Sequence, residues 1–288
     1  MANSLEPFEI GVMFWAGRDP AQTLSELTAM GVRCGQLGIP GDLDTACAPA
    51  WCDALSADGF VLYTVFAAFE GESYADIPAV QRTVGFIPAA TRDARERRMY
   101  RISDFAKEIG VPGIATHIGF VPEDDGDPDY IAVREMVRRI CDHAASHGQT
   151  FALETGQERA EVLLDFIHDV NRDNLGINFD PANMILYGTG DPIGALDVLA
   201  AHILSVHCKD GNWPPNDSRD ALGSEVPLGQ GAVGIESFLR RLRRAGYTGP
   251  LAIERERHDP VQRLRDIEAA IGLLRPLRLA ILYESPAP

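Results

Sequence analysis

The chain has 288 residues, of which 45% are hydrophobic, and its 26 basic and 42 acidic residues give a formal net charge of −16. This length suits one barrel-type domain or two smaller domains. The acidic surplus argues against a nucleic-acid partner, since phosphate backbones are bound by basic surfaces. The five cysteines are odd in number and form no C-x-x-C pair, which argues against a disulfide framework and against a structural zinc site.

The first residues of the chain contain no basic segment followed by an apolar core, and no apolar stretch approaches the ~18 residues of a membrane span. We therefore expect a cytoplasmic protein with no signal peptide and no membrane partner. The terminal residues 1–5 and 284–288 are predicted to be flexible tails. The net charge leaves an anionic small-molecule ligand open, because the local charge of a pocket can oppose it.

Short apolar runs alternate with amphipathic segments along the chain. The apolar runs predict strands at residues 10–15, 34–39, 61–67, 113–117, 150–154, 175–180, 203–207 and 251–254. The amphipathic segments predict helices at residues 20–30, 48–58, 91–109, 128–147, 160–170, 191–200, 235–245 and 260–274. Eight such pairs predict an α/β fold, a single (β/α)₈ TIM barrel over about residues 8–276 of a one-domain chain, 1–288. The alternative is a doubly wound open sheet, but the first strand lacks the glycine-rich dinucleotide motif of that fold.

Local signals at the helix ends support these boundaries. An Asp-Pro pair, with aspartate as cap and proline in the first turn, opens four helices, at Pro20, Pro128, Pro192 and Pro260. A glycine suited to a C-terminal cap follows five helices, at Gly31, Gly59, Gly110, Gly148 and Gly246. Two long connections, residues 70–90 and 211–234, leave the carboxyl ends of strands. They are predicted to be lids or substrate walls, with ordinary surface loops as the alternative.

Four of the predicted strands end in a side chain that can bind a metal. These side chains are spaced by 26, 27 and 47 residues and are Glu154, Asp180, His207 and Glu254. One strand–helix unit separates each of the first three, so consecutive strands should bring all four to the carboxyl rim of the barrel. Three carboxylates and an imidazole in one buried place need a compensating cation, and Mn²⁺, Mg²⁺, Co²⁺ and Zn²⁺ all suit such ligands. Taken singly, each residue could instead cap a loop.

The segments around these residues resemble a known family. They read ALET at 152–155, NFDPAN at 178–183, VHCKD at 206–210, PLGQG at 227–231 and AIE at 252–254. Together they resemble the xylose isomerase-like TIM-barrel superfamily, and more closely its sugar phosphate isomerase/epimerase branch, which includes ketose 3-epimerases and inosose dehydratases. The resemblance covers essentially the whole chain. It implies one divalent metal ion bound by the four matching residues, with Glu154 and Glu254 also serving as the acid/base pair.

Two positions depart from the ketose 3-epimerases. Those enzymes have a histidine where this chain has Asn183, and an arginine where it has Trp213. The resemblance therefore argues against a free-ketose 3-epimerase and leaves open a related reaction on another polyol.

The first hypothesis is a metal-dependent isomerase or epimerase of a sugar or polyol-derived ketone, acting through an enediolate. The alternative is a metal-dependent dehydratase of the inosose or dehydroshikimate type, which would use the same site. A non-catalytic barrel and an endonuclease IV-like enzyme are less favoured, because all four ligands are present and the net charge opposes DNA binding.

Five further residues are candidates for substrate binding. They are His117, Asn183, Lys209, Glu158 and Trp15. Each also has a structural alternative: a core position for His117, a loop cap for Asn183, a salt bridge for Lys209 and a helix cap for Glu158. Trp15 could stack on a sugar face. The expected partner is a small sugar or polyol, a homodimer is compatible with the sequence, and phosphorylation of the substrate is left open.

Overall fold

The computed structural model describes residues 5–17, 19–215 and 220–284. Eight parallel strands form a closed barrel. Each strand pairs with the barrel strands that precede and follow it in the chain, and the last strand pairs with the first. They are β1 Ile10–Trp15, β2 Cys34–Ile39, β3 Val61–Ala67, β4 Gly113–His117, β5 Thr150–Glu154, β6 Leu175–Phe179, β7 Ile203–Cys208 and β10 Leu251–Ile253. The predicted (β/α)₈ barrel is therefore confirmed. The assignment of the whole chain to one domain stays a prediction, and the predicted tails fall largely on residues 1–4 and 285–288, outside the described residues.

Helices surround the barrel, and one antiparallel hairpin lies over its carboxyl end. The helices are α1 Pro20–Ala29, α2 Ala48–Asp58, α3 Ile77–Thr83, α4 Arg92–Glu108, α5 Pro128–Ser146, α6 Ala160–Val170, α7 Pro181–Tyr187, α8 Pro192–Leu199, α9 Ile235–Arg244 and α10 Pro260–Leu282. The hairpin pairs β8 Asp210–Asn212 with β9 Ser224–Val226. None of the helices in the described residues is long and apolar enough to cross a membrane.

The helix ends follow the local signals in the sequence. Each aspartate of the four Asp-Pro pairs accepts a backbone N–H from the first turn of its helix, at Asp19, Asp127, Asp191 and Asp259. The five glycines that follow helices have φ between 67° and 91°, a conformation that is strained for residues with a Cβ. These short-range rules thus set where most helices begin and end.

The structure contains elements that the periodicity did not predict. Helices α3 and α7 have seven residues each, too few turns to produce a repeating apolar pattern. The hairpin of β8 and β9 lies within the predicted 211–234 loop except for its first residue, Asp210. The predicted end of the last helix at Leu274 is wrong, because α10 continues through Pro276 to Leu282 and keeps Ile281 buried.

Two layers of packing position the site. The large hydrophobic core lies between the barrel and its helices. A small second cluster fills the inside of the barrel and includes Met13, Phe66, Ala115, Ala152 and Ala252. Because side chains alternate along a strand, the residue two positions after each of these strand residues also points inward, one level closer to the carboxyl rim. Ala115, Ala152 and Ala252 have small side chains, so at the level of these alanines the inside of the barrel has space for longer polar side chains from other strands.

Candidate metal centre and active site

Strands β5, β6, β7 and β10 bring the four predicted ligands to one point at the carboxyl rim. The Nδ1 atom of His207 lies 2.7 Å from Glu154 Oε1 and 3.1 Å from Glu254 Oε2. It also lies 3.5 Å from Asp180 Oδ2. One ligand atom from each residue falls within 4.8 Å of those from the other three, and no residue of the set is more than 8% exposed. We refer to Glu154, Asp180, His207 and Glu254 as the four-residue cluster.

A buried polar network sets the orientation of the His207 ring. The Nε2 atom of His207 lies 2.6 Å from Oε1 of Gln36, on β2 across the barrel. The amide nitrogen of Gln36 donates to Asn178 Oδ1 (2.9 Å), which also accepts from the Ser205 hydroxyl (2.5 Å). Because Gln36 Oε1 can only accept, His207 Nε2 must carry a proton, and Nδ1 is the nitrogen that faces the carboxylates.

Asp180 is held by the helix that follows it. Its Oδ1 accepts the backbone N–H of Asn183 (3.0 Å) and so caps α7. The other oxygen, Oδ2, is buried without a hydrogen bond and points toward His207 Nδ1. The helix cap therefore fixes one oxygen and leaves the second available to a ligand.

The donor atoms of the cluster could bind a metal ion. Burial lowers the pKa of His207, but the carboxylates of Glu254 and Glu154 outweigh burial and hold it well above its usual value. Burial likewise raises the pKa of Glu154, but His117 and His207 bring it well below the usual range. The Oδ2 atom of Asp180, the Oε2 atom of Glu254 and the Nδ1 atom of His207 are buried, make no hydrogen bond in the described structure and lie close together. This set of three oxygens and one imidazole nitrogen fits a divalent ion.

His117 lies beside the cluster and lines the cavity above it. Its Nε2 is 2.7 Å from Glu154 Oε2, and its Nδ1 is 3.3 Å from the side-chain nitrogen of Gln157. Burial lowers the pKa of His117, but the adjacent Glu154 and the charge of Glu72 raise it overall to about 9. His117 is thus in direct contact with one of the two candidate proton-transfer residues.

Lys209 and Asn183 lie on the other side of the cluster. Lys209 Nζ is 3.0 Å from Glu254 Oε2 and 3.8 Å from Asp180 Oδ2. It also lies 3.3 Å from Glu256 and donates to Asn183 Oδ1 at 3.3 Å. The salt bridge considered for Lys209 is therefore present, while the side-chain nitrogen of Asn183 is buried without a partner. The backbone of Asn183, and not its side chain, takes part in the α7 cap.

The remaining two candidates lie apart from the ligands. Glu158 is buried and accepts the backbone N–H of Val121 (3.1 Å). The helix-cap alternative for Glu158 is wrong, because Arg159 is the residue at the N-terminus of α6 and makes no side-chain cap. Trp15 is 40% exposed and forms part of the wall of a cavity of about 640 Å³ that also reaches Glu254 and His117.

The long loop after β7 is fastened to the barrel by buried charges. The carboxylate of Asp210 accepts four backbone N–H groups at 2.9–3.1 Å, from Gly211, Gly229, Gly231 and Val233. Glu225 of β9 pairs with Arg255 (2.9 Å), which also binds Asp266 of α10 (2.8 Å). The PLGQG segment therefore wraps around an aspartate of its own chain.

A sequence profile of the xylose isomerase-like TIM barrel matches residues 29–277. The chain belongs to the xylose isomerase-like TIM-barrel family. A xylose isomerase domain protein from Planctomyces limnophilus has a crystal structure that is 46% identical, with a TM-score of 0.90 over 96% of this chain and 99% of that one. An uncharacterized protein of Methanocaldococcus jannaschii is 24% identical over 164 residues, which span 52% of this chain and only 52% of that protein.

Other solved structures share the fold at lower identity. A xylose isomerase-like protein from Mycobacterium smegmatis, crystallised with magnesium, is 17% identical with a TM-score of 0.69, over 96% of this chain and 98% of that one. A D-tagatose 3-epimerase-like protein is 16% identical with a TM-score of 0.71, over 95% and 98%. The "probable 3-DHS dehydratase" of Bacillus anthracis is 16% identical with a TM-score of 0.65, over 92% and 100%. At these identities the similarity concerns the fold.

Sequence reasoning missed the residues that support the four-residue cluster. Gln36 lies in the middle of an apolar run, and its partner His207 is 171 residues away, so no local pattern connects them. Gln157 lies between the predicted strand 150–154 and the predicted helix 160–170, where no pattern was assigned. A usable signal for Gln36 is that an inward-facing amide on a barrel strand needs a buried partner.

Proposed function

We propose that this protein is a divalent-metal-dependent isomerase or epimerase that acts on a sugar or polyol-derived ketone. The observation that carries the proposal is the convergence of Glu154, Asp180 and Glu254 oxygens on the Nδ1 atom of His207 at the floor of an open cavity. The sugar epimerases among the structural relatives are consistent with this chemistry.

The four-residue cluster would hold the metal ion, with the ring of His207 oriented by Gln36. When bound, a divalent ion supplies Lewis acidity that favours loss of a proton from the carbon next to a substrate carbonyl. The oxygen-rich ligand set suits Mg²⁺ and Mn²⁺, and the imidazole also allows Co²⁺ or Zn²⁺. The magnesium complex of the Mycobacterium smegmatis relative is consistent with the first of these.

Two glutamates are placed to move the proton. Glu254 lines the cavity, and Lys209, 3.0 Å from its Oε2, stabilises the ionised form that can accept a proton from the substrate. Glu154 is bonded through Oε2 to His117, which reaches the same cavity and can return a proton from another direction. Removal by one residue and return by the other inverts one carbon of the substrate.

The cavity provides the remaining contacts. Trp15, Phe66 and Tyr74 supply aromatic wall, which can pack on the C–H face of a sugar ring. The unpartnered amide nitrogen of Asn183 is a donor for a substrate hydroxyl. An amide in place of a histidine at this position favours a polyol other than the free ketoses of the 3-epimerases.

Exchange of solvent deuterium into candidate ketoses tests the assignment. We expect the metal-loaded protein to catalyse exchange at the carbon next to the carbonyl, and Glu154→Gln and Glu254→Gln to slow it by at least ~100-fold, the usual contribution of a positioned acid or base. The exposed Glu268 on α10 offers a matched control, and Glu268→Gln should exchange at the wild-type rate. Unchanged exchange in both active-site variants would refute their roles.

A dehydratase is the second candidate function. Lys209 and His117 are N–H donors next to the two glutamates, so either could protonate a leaving hydroxyl after the same first step. Mass spectrometry separates the reactions, because dehydration yields a product lighter by one water while epimerisation leaves the mass unchanged.

A further inference from the structure

A second group of metal-capable side chains lies on the outside of the barrel, where α4 and α5 pack together. His143 lies in the last turn of α5, His147 is the C-terminal capping residue four positions later, and Asp104 faces them from α4. The Oδ1 atom of Asp104 lies 2.9 Å from His143 Nε2 and 3.6 Å from His147 Nε2. One ligand atom from each of the three falls within 4.8 Å of the other two.

A buried network fixes the tautomer of His147. The amide nitrogen of Gln149 donates to the Ser103 carbonyl (3.0 Å), so its Oε1 is the atom that accepts the Ser103 hydroxyl proton (2.6 Å). The same hydroxyl oxygen lies 3.1 Å from His147 Nδ1. Since the hydroxyl proton is already used, His147 Nδ1 must donate to Ser103. The other ring nitrogen, Nε2, then faces the Asp104 carboxylate and is the atom that can bind a cation shared with that oxygen.

The surroundings of the three residues also favour positive charge. His143 is in the last turn of α5, and His147 is its C-terminal capping residue. Unsatisfied carbonyls give a helix C-terminus partial negative charge, which stabilises a nearby cation. The His143 ring packs against Tyr100, with 4.7 Å between ring centroids, while its Nε2 atom faces Asp104.

We propose that Asp104, His143 and His147 form a second metal site that binds a transition-metal ion such as Zn²⁺ and links α4 to α5. Bonds of about 2.0–2.1 Å in a tetrahedral site separate neighbouring ligand atoms by about 3.3 Å, and the two Asp104–His distances of 2.9 and 3.6 Å bracket that value. The two histidines have the four-residue spacing found in helical zinc motifs, here at the C-terminal end of α5. Two imidazoles and one carboxylate select Zn²⁺, Co²⁺, Ni²⁺ or Cu²⁺ over Mg²⁺ and Ca²⁺.

This site is separate from the four-residue cluster. Helices α4 and α5 lead into the amino ends of β4 and β5, so their C-termini lie at the opposite end of the barrel from the carboxyl rim. The ion would therefore stabilise the packing of two helices and take no part in the reaction. Asp104 and His143 are partly exposed, which gives the ion access without unfolding.

Calorimetric titration with Zn²⁺ of untagged, metal-free protein tests the proposal. We expect wild type to bind one more equivalent than His143→Ala and Asp104→Asn, while both variants retain the equivalent bound by the four-residue cluster. His168 is a matched control, because it too is a histidine in the last turn of a helix, α6. Among the aromatic ring pairs of the described residues, its one partner is His202. His168→Ala should keep the wild-type stoichiometry.

A second measurement uses stability. Zn²⁺ should raise the Tm of wild type and of His168→Ala more than that of His143→Ala, because an ion that binds only the folded state stabilises it. Mg²⁺ should produce no difference between these proteins. Equal zinc stoichiometry and equal Tm shifts in wild type and His143→Ala would overturn the proposal and leave an ordinary His–Asp ion pair. Circular dichroism spectra identify any variant that fails to fold, and Asp104→Asn, at a half-exposed position, is the second variant for that case.

Discussion

The buried carboxyl of Glu158 should make stability fall as the pH rises. Glu158 is 6% exposed, and burial raises its pKa from 4.5 to about 7, although the hydrogen bond from Val121 acts in the opposite direction. The folded state therefore binds this proton more tightly than the unfolded state. The resulting stabilisation is complete below about pH 4.5 and is lost as the pH rises through about 7. A pKa difference of this size corresponds to about 3 kcal/mol.

The variant Glu158→Gln isolates this effect. The amide oxygen can still accept the Val121 N–H, and the amide nitrogen replaces the Oε2 atom that has no partner in the described structure, so size and hydrogen bonding are kept while ionisation is removed. We expect its free energy of unfolding, relative to wild type, to increase by about 3 kcal/mol between pH 4.5 and 7 and to stay constant above.

Urea unfolding at half-unit steps from pH 4 to 8, with a chelator present to exclude metal binding, measures the difference. Glu161→Gln is the control, because this carboxyl, three residues later in the first turn of α6, is exposed and stays solvated in both states. Curves of Glu158→Gln and wild type that run parallel over the whole range would refute the assigned pKa and its cause.

Three other substitutions test the site and its supports. Gln36→Leu removes the acceptor for His207 Nε2 and should weaken Mn²⁺ binding about 10- to 100-fold; calorimetry that finds unchanged affinity would show that the ring does not depend on this bond. Asp210→Asn replaces one acceptor oxygen by a donor, so two N–H bonds are lost and the free energy of unfolding should fall by about 3 kcal/mol or more, measurable in urea. Trp15→Ala should raise KM about three- to tenfold with little change in kcat, since an aromatic contact contributes about 0.5–1.5 kcal/mol; a fall in kcat alone would contradict a binding role.

The fold and the positions of the ligands could be predicted because they depend on short-range patterns. A buried parallel strand is a continuous apolar run, and an Asp-Pro pair or a following glycine marks a helix end within one turn. The grouping of Glu154 with Asp180 and His207 then needs only the rule that parallel strands bring their carboxyl ends to one rim. The closeness of the four residues in the structure agrees with that rule.

The supporting contacts could not be predicted, because they join residues that are distant in the chain. The bond of Gln36 to His207 depends on the diameter of the barrel and on the depth of each side chain inside it. The role of Asp210 was missed for a similar reason: it follows the predicted strand 203–207 by three residues, yet three of its four partners lie 19–23 residues later in a loop with no periodic pattern. The extension of α10 past Pro276 was missed because proline usually ends a helix.

The network around Gln36 has a consequence for protein engineering. All four residues of the cluster come from the second half of the chain, which suggests that a designer could recombine this half with the first half of another barrel. However, Gln36 on β2 orients His207, and His117 on β4 contacts Glu154. Each half of the chain therefore supplies residues of the same buried polar network. A chimera joined between β4 and β5 would keep every candidate ligand and still lose the hydrogen bond that orients the His207 ring, unless the donor barrel supplied an amide at the position of Gln36.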